Sequence, residues 1–319
     1  MRGLIPALPL NSDASHIVAP TAMYPFLLAA RAQSHPLIVV TSSSRSSEDL
    51  VNELRELHDN VMEFPAWETL PHERLSPRSD TIAKRIQTLY ALQEEQQINP
   101  IIVTPVRGAI HRIISELGSI PLMKLEIGKE QSLDELVRHL SALAYTRTDL
   151  VERRGEFAVR GGIVDLFLPL SNHPIRIDFF GDEIEDLSYF EVADQRTFKP
   201  VVGSVDIFPC RELLLTKEIK HRAIEIKEDY PAAAEMLEKI SEGMTFEGME
   251  SLIPLLIDNT ESLLTRMPEG TQLVFIDEQR IKTRAADLLA TNEEFLNASW
   301  SNAAPVSYTH LTLPTNREV

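Results

Sequence analysis

Two short apolar runs, PLIVVT at residues 36–41 and PIIVT at residues 100–104, constrain this chain more than any other feature. Each is β-branched and apolar throughout rather than alternating, which marks a strand buried on both faces. Between them the hydrophobic period becomes helical. Leu50, Leu54 and Leu57 share one face, and Ser46 with Asp49 three residues on predicts a capping box at its start. VMEF at residues 61–64 reads as a further strand, and Ile82, Ile86 and Leu89 stripe a helix from about residue 80 to 93. Pro105 suits the first turn of the helix after it. Strands alternating with helices predict an α/β fold whose parallel sheet is covered on both faces.

From about Leu122 the pattern changes. A helix capped by Ser132, with Glu135, carries Leu133, Leu136, Val137 and Leu140 on one side. Strands without intervening helices follow at residues 156–159, 163–168, 175–180 and 188–192. Gly161-Gly162 joins the first two, the second being an apolar run broken only by Asp165, and FFGDEI around Gly181-Asp182 predicts a hairpin turn. This is a small α+β unit set between stretches of α/β character. After about Pro209 helices return over residues 213–240, where Pro231 must start a new helix or kink the old one. A strand at 271–278 and a helix at 281–295 complete the reading, without internal repeats or low-complexity segments.

The expected division is therefore a first part of an α/β domain at 1–121, an inserted α+β domain at 122–208 and a second part of the α/β domain at 209–305. The tail VSYTHLTLPTNREV at 306–319 departs from the pattern and resembles a translated sequencing-library adapter, so it is set aside and the natural chain is expected to continue from near Pro305. A length of 319 residues accommodates two or three domains. Cys210 is the single cysteine, which excludes a disulfide framework and a thiol metal cluster. The apolar run at residues 26–30 is far shorter than the ~18–20 residues of a spanning helix, and with no signal-peptide layout a cytoplasmic location without membrane contact is expected. A formal charge of −17 argues against broad binding to nucleic-acid phosphates.

A parallel sheet invites a phosphate loop, G-x-x-x-x-G-K-[ST], whose amides and lysine cradle phosphates. The Gly128-Lys129 pair is followed by Glu130 and has Met123 where the first glycine belongs; the expected position, VAPTAMYP at 18–25, holds neither glycine nor lysine. No nucleotide cofactor is expected. VFIDE, with Asp277 and Glu278, looks like a magnesium-holding strand end, but acidic residues at a helix start are common and are favoured here. The nine histidines show no zinc spacing, including His72 beside Glu73, and Asp182, Glu183, Glu185 and Asp186 read as a solvated acidic face. No catalytic residue and no metal site is expected. The arginines are more informative. In IRIDFF, alternation puts Ile175, Ile177 and Phe179 on one face and Arg176, Asp178 and Phe180 on the other, with Arg160 outward by its own strand's parity. Exposed Arg and Phe together compose a protein-binding hot spot. The alternative is that Arg176 pairs with a neighbouring carboxylate while Phe180 packs under the hairpin; alternation alone leaves both open.

YTRTDLVERRGEFAVRGGIVDLFLP at 145–169 and PIRIDFFGDEIEDLSYFEVADQRT at 174–197 resemble a module shared by the excinuclease component UvrB and the bacterial transcription-repair coupling factors. FPAWETLPHERLSPRSDTIAKRIQTLYAL at 64–92 and FEGMESLIPLL at 246–256 are similar to the coupling factors and not to UvrB, and the likeness runs from about residue 13 to 300. The resemblance implies a degenerate RecA/helicase-like domain without a phosphate loop, carrying the inserted domain that docks onto the excinuclease component UvrA. It implies the amino-terminal part of a larger ATP-driven DNA translocase that displaces stalled RNA polymerase, with ATP, magnesium, duplex DNA and polymerase engaged by later domains. Family contact residues match Arg160, Arg176 and Phe180, a surface that the parent masks in its resting state. The competing readings are an ATP-dependent, UvrB-like damage-binding protein and a direct DNA binder using Arg147, Arg153, Arg154 and Arg160.

Overall fold

The computed structural model describes residues 16–69, 75–94 and 97–301. In chain order these form α1 (Tyr24–Ala32), β1 (Leu37–Thr41), α2 (Ser44–Arg55), β2 (Val61–Glu63), α3 (Ser79–Ala91), β3 (Ile101–Pro105), α4 (Val106–Ile110) and β4 (Ile113–Ile114). There follow β5 (Met123–Leu125), α5 (Leu133–Ala142), β6 (Thr146–Arg147), β7 (Glu156–Arg160), β8 (Ile163–Leu166), β9 (Ile175–Phe180), β10 (Glu183–Phe190), β11 (Thr197–Pro200) and β12 (Val205–Ile207). The last stretch supplies α6 (Lys217–Ile226), α7 (Ala234–Ser241), α8 (Ile253–Leu256), β13 (Thr260–Glu261), β14 (Gln272–Phe275) and α9 (Glu278–Ser301).

The first sheet runs β14-β1-β3-β2 and is parallel throughout, with Val39 opposite both Val274 and Val103. Its two faces feed separate cores, as a doubly buried strand requires. Leu37, Val39, Ile101 and Val103 pack with Leu28 and Ala32 of α1 and with Leu50, Val51 and Leu54 of α2. Ile38, Val40 and Ile102 pack on the opposite side with Ile82, Ile86 and Leu89 of α3 and with Ile281, Ala285 and Leu288 of α9. The sheet is covered on both faces, as the apolar runs predict.

The second sheet is six-stranded, β11-β10-β9-β8-β7-β6, antiparallel except for the parallel β6–β7 pair. One face packs against α5: Leu136 and Leu140 meet Phe157, Val164, Leu166, Ile175, Ile177, Ile184 and Leu187 in one buried cluster. The short antiparallel pair β5–β12, Met123 opposite Ile207, sits where the chain enters and leaves this unit.

Several local expectations shift. Ser43, not Ser46, caps α2: it is extended and its Oγ accepts from the Ser46 amide at 3.2 Å. A run of serines offers several equivalent caps, and the end of β1 decides among them. Leu57 lies beyond the end of α2. Ser132 occupies the N-cap of α5 without a side-chain cap bond. The strand expected at 188–192 is the end of β10, which begins at Glu183 because a two-residue turn sets Phe180 opposite Glu183. The run at 163–168 ends as β8 at Leu166, although Phe167 still donates to the Glu156 carbonyl at 2.9 Å and accepts from the Gly155 amide at 2.7 Å. The helical stretch at 213–240 is two helices, α6 capped by Thr216 and α7 entered through a 3-10 turn opened by Pro231. The tail at 306–319 and the His72–Glu73 pair lie outside the described residues.

A buried ionic knot fastens the segment that leaves the second unit. Arg85 of α3 is fully buried and donates from Nε to Glu212 Oε1 at 2.5 Å and from a terminal nitrogen to the Pro65 carbonyl at 2.9 Å. Trp67 Nε1 donates to the same Glu212 oxygen at 3.1 Å, and the Phe64 ring lies 4.2 Å from the guanidinium. Glu212 is just past the second unit and Phe64–Trp67 just past β2.

Candidate functional site

The second sheet's other face is polar at its centre. On β8, Asp165 lies opposite Ala158 of β7 and Arg176 of β9, so one row of outward positions crosses three strands. The next row runs Arg160, Ile163, Asp178 and Asp186, and Phe180 stands beyond it at the hairpin end. Alternation in an antiparallel ladder dictates this sorting. Ile175 and Ile177 are buried on the inner face, Arg176 and Asp178 are half-buried on the outer one, and Phe180 is 77% exposed. Gly161 and Gly181 take positive φ (62° and 63°) in the two turns, the left-handed geometry that tight hairpins need.

Asp165 has no side-chain exposure, and its charge is met by two arginines. Arg176 grips it side-on, Nε to Oδ1 at 2.7 Å and a terminal nitrogen to Oδ2 at 3.0 Å. Arg160 donates to the same Oδ2. Arg176 gives a further bond to the Gln195 carbonyl at 3.2 Å and lies over the Phe190 ring, 4.9 Å from its centroid. The hydrogen bonds it gives to Asp165 raise the pKa of the guanidinium, so Arg176 stays charged. Phe190 belongs to a small apolar cluster with Val151, Ala158 and Phe167 at one end of this face. At the other end Asp178 opposes Asp186; burial first, then that neighbouring charge, raises the Asp178 pKa.

The three residues singled out for partner binding each have a definite place. Arg160 and Arg176 are brought onto one carboxylate. Phe180 shares their face but sits four residues farther along β9, about 13 Å by strand rise. The two alternatives read from alternation are both partly right: Arg176 does pair with a carboxylate, and Phe180 is solvent-exposed rather than packed under the hairpin. Asp165 was visible as the one charge in an apolar strand, but which arginines it would meet depends on register, which single-strand patterns do not contain. Arg154 is committed internally, Nε to the Ser171 carbonyl at 2.9 Å with Asp80 3.8 Å away.

The remaining chemical candidates resolve into structure. Asp277 has φ 62° and its carboxylate accepts from the Arg280 amide in the first turn of α9, while Glu278 pairs with Lys282 at 2.6 Å. Residues 18–25 hold a 3-10 turn that runs into α1. Among the described residues, no three His, Cys, Asp or Glu side chains are grouped to hold a metal ion, and no helix is long and apolar enough to cross a membrane.

Comparison with known proteins places this geometry. The UvrB interaction domain family matches residues 123–213, the stretch that contains the six-stranded sheet. The chain is 42% identical over 308 residues to the transcription-repair-coupling factor of Mycobacterium bovis, covering 92% of this chain and 25% of that protein. It is 31% identical over 277 residues to the protein of the same name from Myxococcus xanthus, covering 80% of this chain and 23% of that protein. Against the Escherichia coli K12 protein it is 30% identical over 262 residues, 78% of this chain and 22% of that protein. The chain spans about a quarter of the length of these curated relatives.

Proposed function

This chain belongs to the transcription-repair-coupling factor family, and from that premise we propose that it is the family's repair-recruitment region, docking the excinuclease component UvrA during transcription-coupled excision repair. The observation that carries the reading is the outer face of the six-stranded sheet: two arginines fixed on a buried aspartate, with Phe180 77% exposed on the same face. Aromatic and arginine side chains are the residue types on which binding energy concentrates at a protein interface. The domain division 1–121, 122–208 and 209–305 belongs to the same proposal, the inserted unit presenting the face and the parallel-sheet unit carrying it.

In this reading the chain itself hydrolyses no nucleotide and holds no cofactor, which the structural use of Asp277 as a helix cap supports. ATP-driven translocation on duplex DNA and the contact with stalled RNA polymerase belong to later domains of the parent protein. Those domains also mask this face until the motor engages. The UvrB-like damage-binding alternative requires ATP turnover by the chain alone.

The test is saturable binding of the purified chain to UvrA by calorimetry. Arg176→Ala and Phe180→Ala are each expected to cost about 2 kcal/mol or more of affinity, some 30-fold, with the fold retained. Unchanged affinity in both variants would remove the assigned surface. Steep salt-dependent binding of duplex DNA by the isolated chain would favour a direct DNA binder instead.

A further inference from the structure

Taking this face as the docking surface proposed above, we infer that Asp165 is its positioning residue, clamping Arg160 and Arg176 into one preformed cationic unit that seats a carboxylate of the partner protein. Both Asp165 oxygens are engaged and the side chain has no exposure of its own, so it reaches a partner only through the arginines. A guanidinium carries five N–H groups. Three of those on Arg176 are taken by Asp165 and the Gln195 carbonyl, which leaves one on each terminal nitrogen without a partner among the described residues. Phe190 below and Asp165 beside it hold Arg176 in place, and 19% of its side chain still reaches the surface. Arg160 gives Asp165 a single bond and is 49% exposed.

Two cations on one anion leave an excess positive charge on this unit. A buried aspartate that needed only neutralising would be satisfied by the two-pronged grip of Arg176. The second arginine therefore leaves this unit one positive charge in excess, and a carboxylate matches both its sign and the planar N–H geometry. Asp178 and Asp186 in the adjoining row repel a carboxylate from that side, which narrows the seat to the Arg160–Arg176 edge. Fixing the arginines beforehand lowers the ordering cost of association.

The experiment measures binding of the 319-residue chain to purified UvrA with Asp165→Asn, Arg176→Lys and the double variant, each checked by thermal melting. Asp165→Asn is expected to weaken binding about tenfold, and Arg176→Lys, which keeps charge but not the two-pronged grip, by a similar factor. Because Asp165 acts on the partner through Arg176 and Arg160 together, the double variant should lose less than the product of the two single losses. A folded Asp165→Asn chain with wild-type affinity, or fully additive losses in the double variant, overturns the inference. Should Asp165→Asn fail to fold, the cycle of Arg160→Lys, Arg176→Lys and their double variant decides: losses that are less than additive uphold a shared clamp, and fully additive losses reject it. If Arg176→Ala loses binding while Asp165→Asn and Arg176→Lys do not, the clamp falls and the docking face stands. If neither Arg176→Ala nor Phe180→Ala loses binding, both fall.

Discussion

Asp178 is the side chain whose placement works against the fold. It faces Asp186 directly across the β9–β10 ladder, where like charges destabilise. Its pKa is raised chiefly by burial and then by Asp186, with smaller like-sign contributions from Asp165 and Glu185 and an opposing one from Arg176. An acid with a raised folded-state pKa binds its proton more readily when folded, so stability rises as pH falls through that value and levels off below the ordinary aspartate range. Asp178→Asn is expected to stabilise the chain at neutral pH by about 0.5 kcal/mol. Melting curves at neutral and mildly acidic pH check this: the wild type should gain on acidification and the variant should lose that part of the gain. At this scale the sequence shows which face Asp178, Arg176 and Phe180 take, since parity is local. It does not show that Asp178 meets Asp186 or that Arg160 and Arg176 share Asp165, because those contacts are set by cross-strand register.

Among the elements, β9 was the most legible, whereas β10 begins five residues before the strand expected at 188–192. IRIDFF keeps the bounds its alternation predicts, and the Gly181-Asp182 turn falls where the glycine does. Gly181 has φ 63° and open space where a Cβ would stand, so a side chain there meets strain from the backbone alone. Gly181→Val is expected to cost about 1–2 kcal/mol in chemical denaturation while leaving the inner-face core packed. Helix ends were less legible. Ser43 displaces Ser46 as the cap of α2 because the end of β1 fixes where the helix turns, and α6 starts at Lys217 because Thr216 caps it. Helix starts among several polar candidates are decided by the strand before them, which a window of residues does not record.

For the whole molecule, the alternation of apolar runs and helical stripes was enough to specify a parallel sheet with cores on both faces and a separate α+β unit. What anchors the chain where it leaves the second unit was not legible. Arg85 reads as a polar position on an amphipathic helix, yet it is buried against Glu212, a residue 127 positions away. Glu212 also accepts from Trp67, so the loop after β2, the helix α3 and the segment leaving the second unit meet at one carboxylate. Removing it strands a buried guanidinium, and breaking such a pair costs about 3–5 kcal/mol. Glu212→Ala is expected to lower the unfolding free energy by that amount, read by urea denaturation. Loss confined to a few tenths of a kcal/mol would show that the knot is dispensable to the joint.

The β5–β12 pair gives the second unit a narrow doorway. Met123 and Ile207 stand opposite each other, so the chain departs and returns within about 5 Å, the separation of paired strands. A host whose two attachment points nearly touch experiences a guest of this size as it would a tight loop. The outer face of the six-stranded sheet can change its chemistry, row by row, without altering the path of the chain through the domain that carries it.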